Sequence, residues 1–216
     1  MNTEWSEQNK RMQQQLKKKE TFNQGIDTLL SLRKKLMEQT VRFQSELAQA
    51  DFSAQPFPNA KGYHSKTIAY SLYHIFRIED IVVQTLMRKE EQLFFRQGFQ
   101  TGMGASIQTT GNELVKEEIA IFSQGLDLES LYRYGAEVDG ATTRLLNELS
   151  FSDTKVKMTE ADKEKLLLTE SVAPSEAWLV DYWCSKDISG LIRMPLSRHW
   201  LMHIEASLRI KNKLLK

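Results

Sequence analysis

The chain has 216 residues, a length that suits one sizeable core. Its 29 Lys and Arg against 28 Asp and Glu leave a formal net charge of +1, which excludes an electrostatic footprint for nucleic acid or for an anionic membrane. A single cysteine, Cys184, excludes an intrachain disulfide framework and a multi-cysteine zinc site, and fits a reducing, cytoplasmic setting. The opening "MNTEWSEQNK" lacks the basic-then-apolar design of a secretion signal, and no apolar run approaches the ~18–20 residues of a membrane span.

Residues 1–20 read as a Gln/Lys-rich arm whose "LKKKE" is a solvated run, and residues 21–216 as one domain. A first long helix is expected over about 21–50, with Phe22, Ile26, Leu29, Leu30, Leu36, Met37, Phe43 and Leu47 near helical spacing. "DFSAQPFPNAKGYHS", with two prolines and a glycine, ends it. A second helix follows over about 65–88. Ile68, Leu72, Ile75, Phe76, Val83 and Leu86 fall on one side of it and Tyr70, His74, Ile78 and Ile81 on another. Only a strip of Lys66, Arg77, Asp80 and Gln84 is left for water. Glu79 lies on a buried side away from His74, which calls for an ion pair with an arginine of a neighbouring helix.

The segment "GFQTGMGASIQTTG" reads as a mobile loop able to close over a pocket, and "NELVKEEIAIF" as a short helix. The third long helix begins after Asp127 as N-cap and carries Leu128, Leu131, Gly135, Val138, Thr142, Leu145 and Leu149 at alternating spacings of three and four. Gly135 offers a place for a neighbouring helix to approach closely. Short helices are expected in "TEADKEKLLL", capped by Thr159, and from "PSEAWLVDYW"; in "DYWCSKD" the cysteine reads as a partly buried, inert thiol. The fourth long helix starts near Pro195 and runs to about Leu214. Four such helices make an all-α four-helix bundle, and the length of the crossover between the second and third favours up-down-down-up topology.

The chemistry concentrates in "RHWLMH". His199 and His203 are four residues apart and lie within about 40° on the wheel, between Leu196, Trp200, Ala206 and Ile210, so both imidazoles point inward. They are either two hydrogen-bonded core histidines or two ligands of one cation, and a shared ion relieves the cost of burying both rings. A third donor has to come from another helix. His74 is the first candidate; His64, about 15 Å up the axis, is the second. Zincin, ferritin-like di-iron, dinucleotide-binding and serine-hydrolase motifs are all missing the residues they need: Trp200 stands where a zincin has glutamate, and no glutamate lies three residues before a histidine.

"SKTIAYSLYHIFRIED" and "GLIRMPLSRHWLMHIEASLRI" resemble the second-helix and last-helix motifs of the DinB/YfiT-like superfamily, and "TGNELVKEEIAIFSQGLDLESLYRY" is similar to that family's crossover and third helix. The resemblance extends over about 21–213. It implies an up-down-down-up bundle with a divalent metal, zinc or nickel first and iron, manganese or copper next, held by His74, His199 and His203. It further implies a homodimer and a metal-dependent enzyme that activates a low-molecular-weight thiol for transfer to an electrophile. Metal-assisted hydrolysis would use the same ligands. The rival expectation is a metal-stabilised scaffold or ligand-binding stress protein without catalysis. Arg193 and Arg198, near the start of the last helix, are candidates to meet an anionic substrate.

Overall fold

The computed structural model describes residues 2–216. Among them the regular structure is helical, with one isolated antiparallel bridge between Lys157 and Asp187. Four long helices, α2 (Phe22–Glu46), α3 (Ile68–Asp80), α7 (Leu128–Glu148) and α11 (His199–Leu214), follow the expected segments. Here α1 is Thr3–Gln15, and α4 (Leu93–Arg96), α5 (Phe99–Met103) and α6 (Glu117–Gln124) lie in the crossover. The second connection carries α8 (Glu160–Leu168), α9 (Trp178–Cys184) and α10 (Ile188–Arg193). α3 packs on α7 and α11, α11 on α2, and α2 on α7. The expected caps are present: Asp127 accepts from the Ser130 amide, and Thr159 forms a reciprocal box with Asp162.

Residues 3–15, expected as an arm, form a helix capped by Asn2. Trp5, Gln8, Asn9 and Met12 recur at helical spacing and are buried, and α1 packs along α2. The many glutamines hide this face from a hydropathy reading, yet only Trp5 and Met12 need cover.

α3 departs furthest from expectation. Thr67 caps it, and every residue from Ile68 to Asp80 is buried, so there is no water-facing strip: Arg77, Asp80 and Gln84 are all inside and only Lys66 stays half-exposed. The crossover and second connection cover that side. Asp80 accepts from the Leu93 and Phe94 amides at the start of α4 and from the Tyr134 hydroxyl. Arg77 donates to the Gln108 carbonyl and to Ser171, with its guanidinium 4.1 Å from the Phe94 ring centroid.

Glu79 takes its arginine from α2, as expected. Arg33 donates to both carboxylate oxygens at 2.7 and 2.6 Å, and Thr142 of α7 and the Trp200 indole of α11 complete the shell at 2.5 and 2.6 Å. One carboxylate thereby ties α2, α7 and α11 to α3. Gly135 also behaves as expected: a Cβ there would meet the Phe76 ring at 2.5 Å, so α7 and α3 close to a distance that only glycine permits.

The last helix starts earlier than expected. Asp187 caps α10, and the chain passes through a π-turn over Met194–Arg198 into α11, so Pro195 sits inside that wider turn. Proline has no amide hydrogen to offer an i→i−4 ladder, and a π-turn accommodates the missing bond. His199 is the first residue after the turn. A second π-turn, over Ile81–Arg88, extends α3.

Candidate metal centre

The three histidines singled out from the sequence meet. His74 projects from the middle of α3, and His199 and His203 from successive turns of the first half of α11, a helix in contact with α3. Their ring centroids are 4.7–4.9 Å apart, and one ligating nitrogen from each lies within 4.8 Å of the other two. The rings are 5 %, 7 % and 2 % exposed, respectively. His64 is not among them; it lies in a 3-10 turn over Gly62–Ser65 before α3.

A backbone contact fixes His74. Its Nδ1 is 2.7 Å from the Thr110 carbonyl oxygen, an acceptor, so Nδ1 carries the hydrogen and Nε2 presents a lone pair 3.1 Å from Nε2 of His199. Two lone pairs at that separation need either a proton or a cation between them. With a zinc–nitrogen bond of about 2.0–2.1 Å, tetrahedral ligand nitrogens stand about 3.3 Å apart. A proton would let His199 donate to His74, but it leaves His203 with nothing: both its nitrogens, and Nδ1 of His199, are buried without a partner. Each such group forfeits about 1–3 kcal/mol. A shared ion would take one nitrogen from every ring, and a donor set of neutral nitrogens suits zinc, nickel, copper or iron.

Burial also sets the protonation state. Desolvation, against a smaller opposing effect of the Thr110 bond, pushes His74 down to about 4. Burial holds His199 and His203 well below the usual imidazole value, and the neighbouring histidines add to it. All three are neutral at pH 7, the form that ligates.

Aromatic rings wall the cluster. Tyr70 stacks on His74 at 11° between planes, and Tyr63 sets its edge on His203. The Tyr70 hydroxyl donates to the Gly111 carbonyl at 2.9 Å; with φ of 78° and the Tyr70 ring 3.2 Å from where a Cβ would stand, position 111 needs glycine. The last part of the segment expected as a mobile loop is therefore anchored, and its first part carries α5. The 107–111 segment accepts from Tyr70, Tyr73, His74 and Arg77 at successive carbonyls, and these anchors hold it against α3. Thr110 was missed from sequence because its contribution is a backbone oxygen, for which no side-chain pattern exists.

The candidate substrate arginines form no hydrogen bond with the histidines among the described residues, although the charge of Arg198 is felt at Tyr63, the ring packed on His203. Arg198 is exposed and borders a hollow with Ser6, Lys10 and Met202, while Arg193 donates to the Ser189 carbonyl one turn back in its own helix. Cys184 is half-buried, and burial pushes its thiol up, so it is a poor nucleophile.

Among the described residues, no helix is long and apolar enough to cross a membrane. A comparison with protein-family models gives no match, and a search of curated proteins gives none. The likeness to the DinB/YfiT superfamily therefore rests on the motif residues themselves. What stands on the geometry is an all-helical chain with a buried His74/His199/His203 cluster that could hold a metal ion.

Proposed function

We propose that this chain is a cytoplasmic metalloprotein of the DinB/YfiT type, an up-down-down-up bundle and homodimer that holds one divalent ion on His74, His199 and His203. The observation that carries the reading is His203: in a buried site, neither of its nitrogens has a hydrogen-bond partner among the described residues. A divalent ion held there supplies Lewis acidity, lowering the pKa of a bound thiol or water toward neutrality. The chain's own groups do the rest. The Thr110 carbonyl sets the His74 tautomer and ring angle, as outer partners of ligating histidines commonly do. Tyr63 and Tyr70 pack against the His203 and His74 rings, and no side-chain nucleophile is needed, which accords with the inert Cys184. The reaction that fits these parts is transfer of a low-molecular-weight thiol to an electrophile.

Elemental analysis of protein purified without a histidine tag, followed by cobalt titration of wild type and His203→Ala, tests the metal reading. One equivalent in the wild type and a large loss of affinity in the variant are expected. Equal binding by both proteins, or none by either, refutes it. A second reading, an ion that serves folding alone, is favoured by the near-complete burial of the three rings. Exchangeable coordination positions on the cobalt ion, seen as spectral change on adding thiol, distinguish the two, because a purely structural site is closed.

A further inference from the structure

The histidine cluster has a cationic neighbour that forms no ion pair among the described residues. Lys66 immediately precedes the Thr67 cap of α3, and its ammonium lies 4.7 Å from the centroid of the Tyr70 ring, the ring that stacks on His74. Tyr70 and His74 are one turn apart on α3, and Lys66, extended just before the cap, reaches the same Tyr70 ring, so a single aromatic ring relates the ammonium to the cluster. Lys66 is half-buried, yet it forms no ion pair among the described residues, and its one hydrogen bond is a long 3.5 Å contact to the Leu114 carbonyl.

Two acids, Glu113 and Glu176, are felt at the Tyr70 ring; neither forms an ion pair with Lys66 among the described residues, and one oxygen of Glu113 is buried without a hydrogen-bond partner. Glu113 takes the Thr109 hydroxyl and Glu176 takes the Trp178 indole at 2.8 Å, although the charge of Glu176 is felt at Lys66. Burial lowers the Lys66 pKa, a sign that its ammonium is incompletely solvated, and its positive charge is felt at both His74 and His203. Three neutral imidazoles leave the full charge of a divalent ion uncompensated, and Lys66 adds one more positive charge in a poorly solvated place. The ligand that suits this field is negative.

We propose that Lys66 is a recognition point for an oxyanion, a carboxylate or phosphate, carried by the molecule that docks at the histidine centre. This rests on the metal reading above. Lys66 determines specificity and touches the ligand's charged end, while the reacting end lies at the histidines.

The test uses the cobalt-loaded full chain and two thiols of equal length, 3-mercaptopropionate and 3-mercaptopropanol, with binding read from the cobalt absorption bands. Wild type is expected to prefer the carboxylate by roughly tenfold or more, the scale of a charge-assisted hydrogen bond. Lys66→Met should abolish the preference while cobalt stoichiometry and affinity for the alcohol stay unchanged, and Lys66→Arg should retain it. Competition by acetate against competition by inorganic phosphate then tells which oxyanion is favoured. A preference that survives Lys66→Met, or a wild type without preference, overturns the assignment of Lys66 and leaves the metal reading standing. Failure to bind cobalt overturns both.

Discussion

Acidification of the metal-free protein is expected to remove stability through the histidine cluster, by an amount that His74 alone bounds from below. Its folded-state value is pushed down to about 4 from an ordinary 6.5. Above pH 6.5 neither state binds the proton, so the group has no effect. As pH falls below 6.5 the unfolded chain takes up a proton that the folded protein refuses, and stability is lost progressively until the folded value is reached near 4. At 1.36 kcal/mol per pKa unit, the loss between pH 7 and pH 4 is about 3 kcal/mol. His199 and His203 are displaced in the same direction and increase it.

The assay is urea unfolding of chelator-treated protein at several pH values. His74→Gln serves as the reference, because its amide can still donate to the Thr110 carbonyl but does not titrate, and buried carboxylates common to both proteins cancel in the difference. Wild type should lose about 3 kcal/mol more than the variant across that window. Parallel curves for the two proteins would show that His74 titrates as freely in the folded chain as in the unfolded one, and the account of the cluster as three buried neutral imidazoles would fail.

Removing one side of the hub should be costly. Arg33→Met leaves the Glu79 carboxylate buried with only Thr142 and Trp200, and is expected to lower the unfolding free energy by about 3–5 kcal/mol, much of it recovered in Arg33→Met/Glu79→Leu; equal losses in both would refute it. Gly135→Ala forces a methyl group to within 2.5 Å of Phe76 and should cost about 1–3 kcal/mol by the urea midpoint, whereas a neutral result would mean that α3 and α7 separate freely. Thiol titration of the folded protein at pH 8 should find Cys184 several-fold slower than in urea, since burial raises its pKa; equal rates would contradict that.

Much of the fold is periodic and therefore local. The spacing of Leu128, Leu131, Val138, Thr142 and Leu145 and the caps at Asp127 and Thr159 follow from short-range rules and lie where those rules place them, whereas the first long helix, expected to about residue 50, already ends at Glu46. The inward pointing of His199 and His203 was legible for the same reason: a helix puts i and i+4 on one face. The pairing of Glu79 with an arginine was also legible, because a buried carboxylate needs a cation, but not that Arg33 would be the one.

What lies between distant segments was decided by packing. No wheel shows that Arg77 and Asp80 are inside, because the layer that covers them comes from residues 92–108 and 171. Nor does composition show that a glycine-rich crossover is pinned, since its anchors are carbonyl oxygens that every residue possesses. Sequence alone determined which side chains could ligate a metal. Only the tertiary structure decided that the rings from α3 and α11 converge, that the Thr110 carbonyl orients one of them, and that the Lys66 ammonium lies over the Tyr70 ring beside them. The convergence depends on the relative placement of helices 125 residues apart in the chain and the Thr110 contact on a crossover 36 residues away, and side-chain burial across such distances is a property of the whole fold.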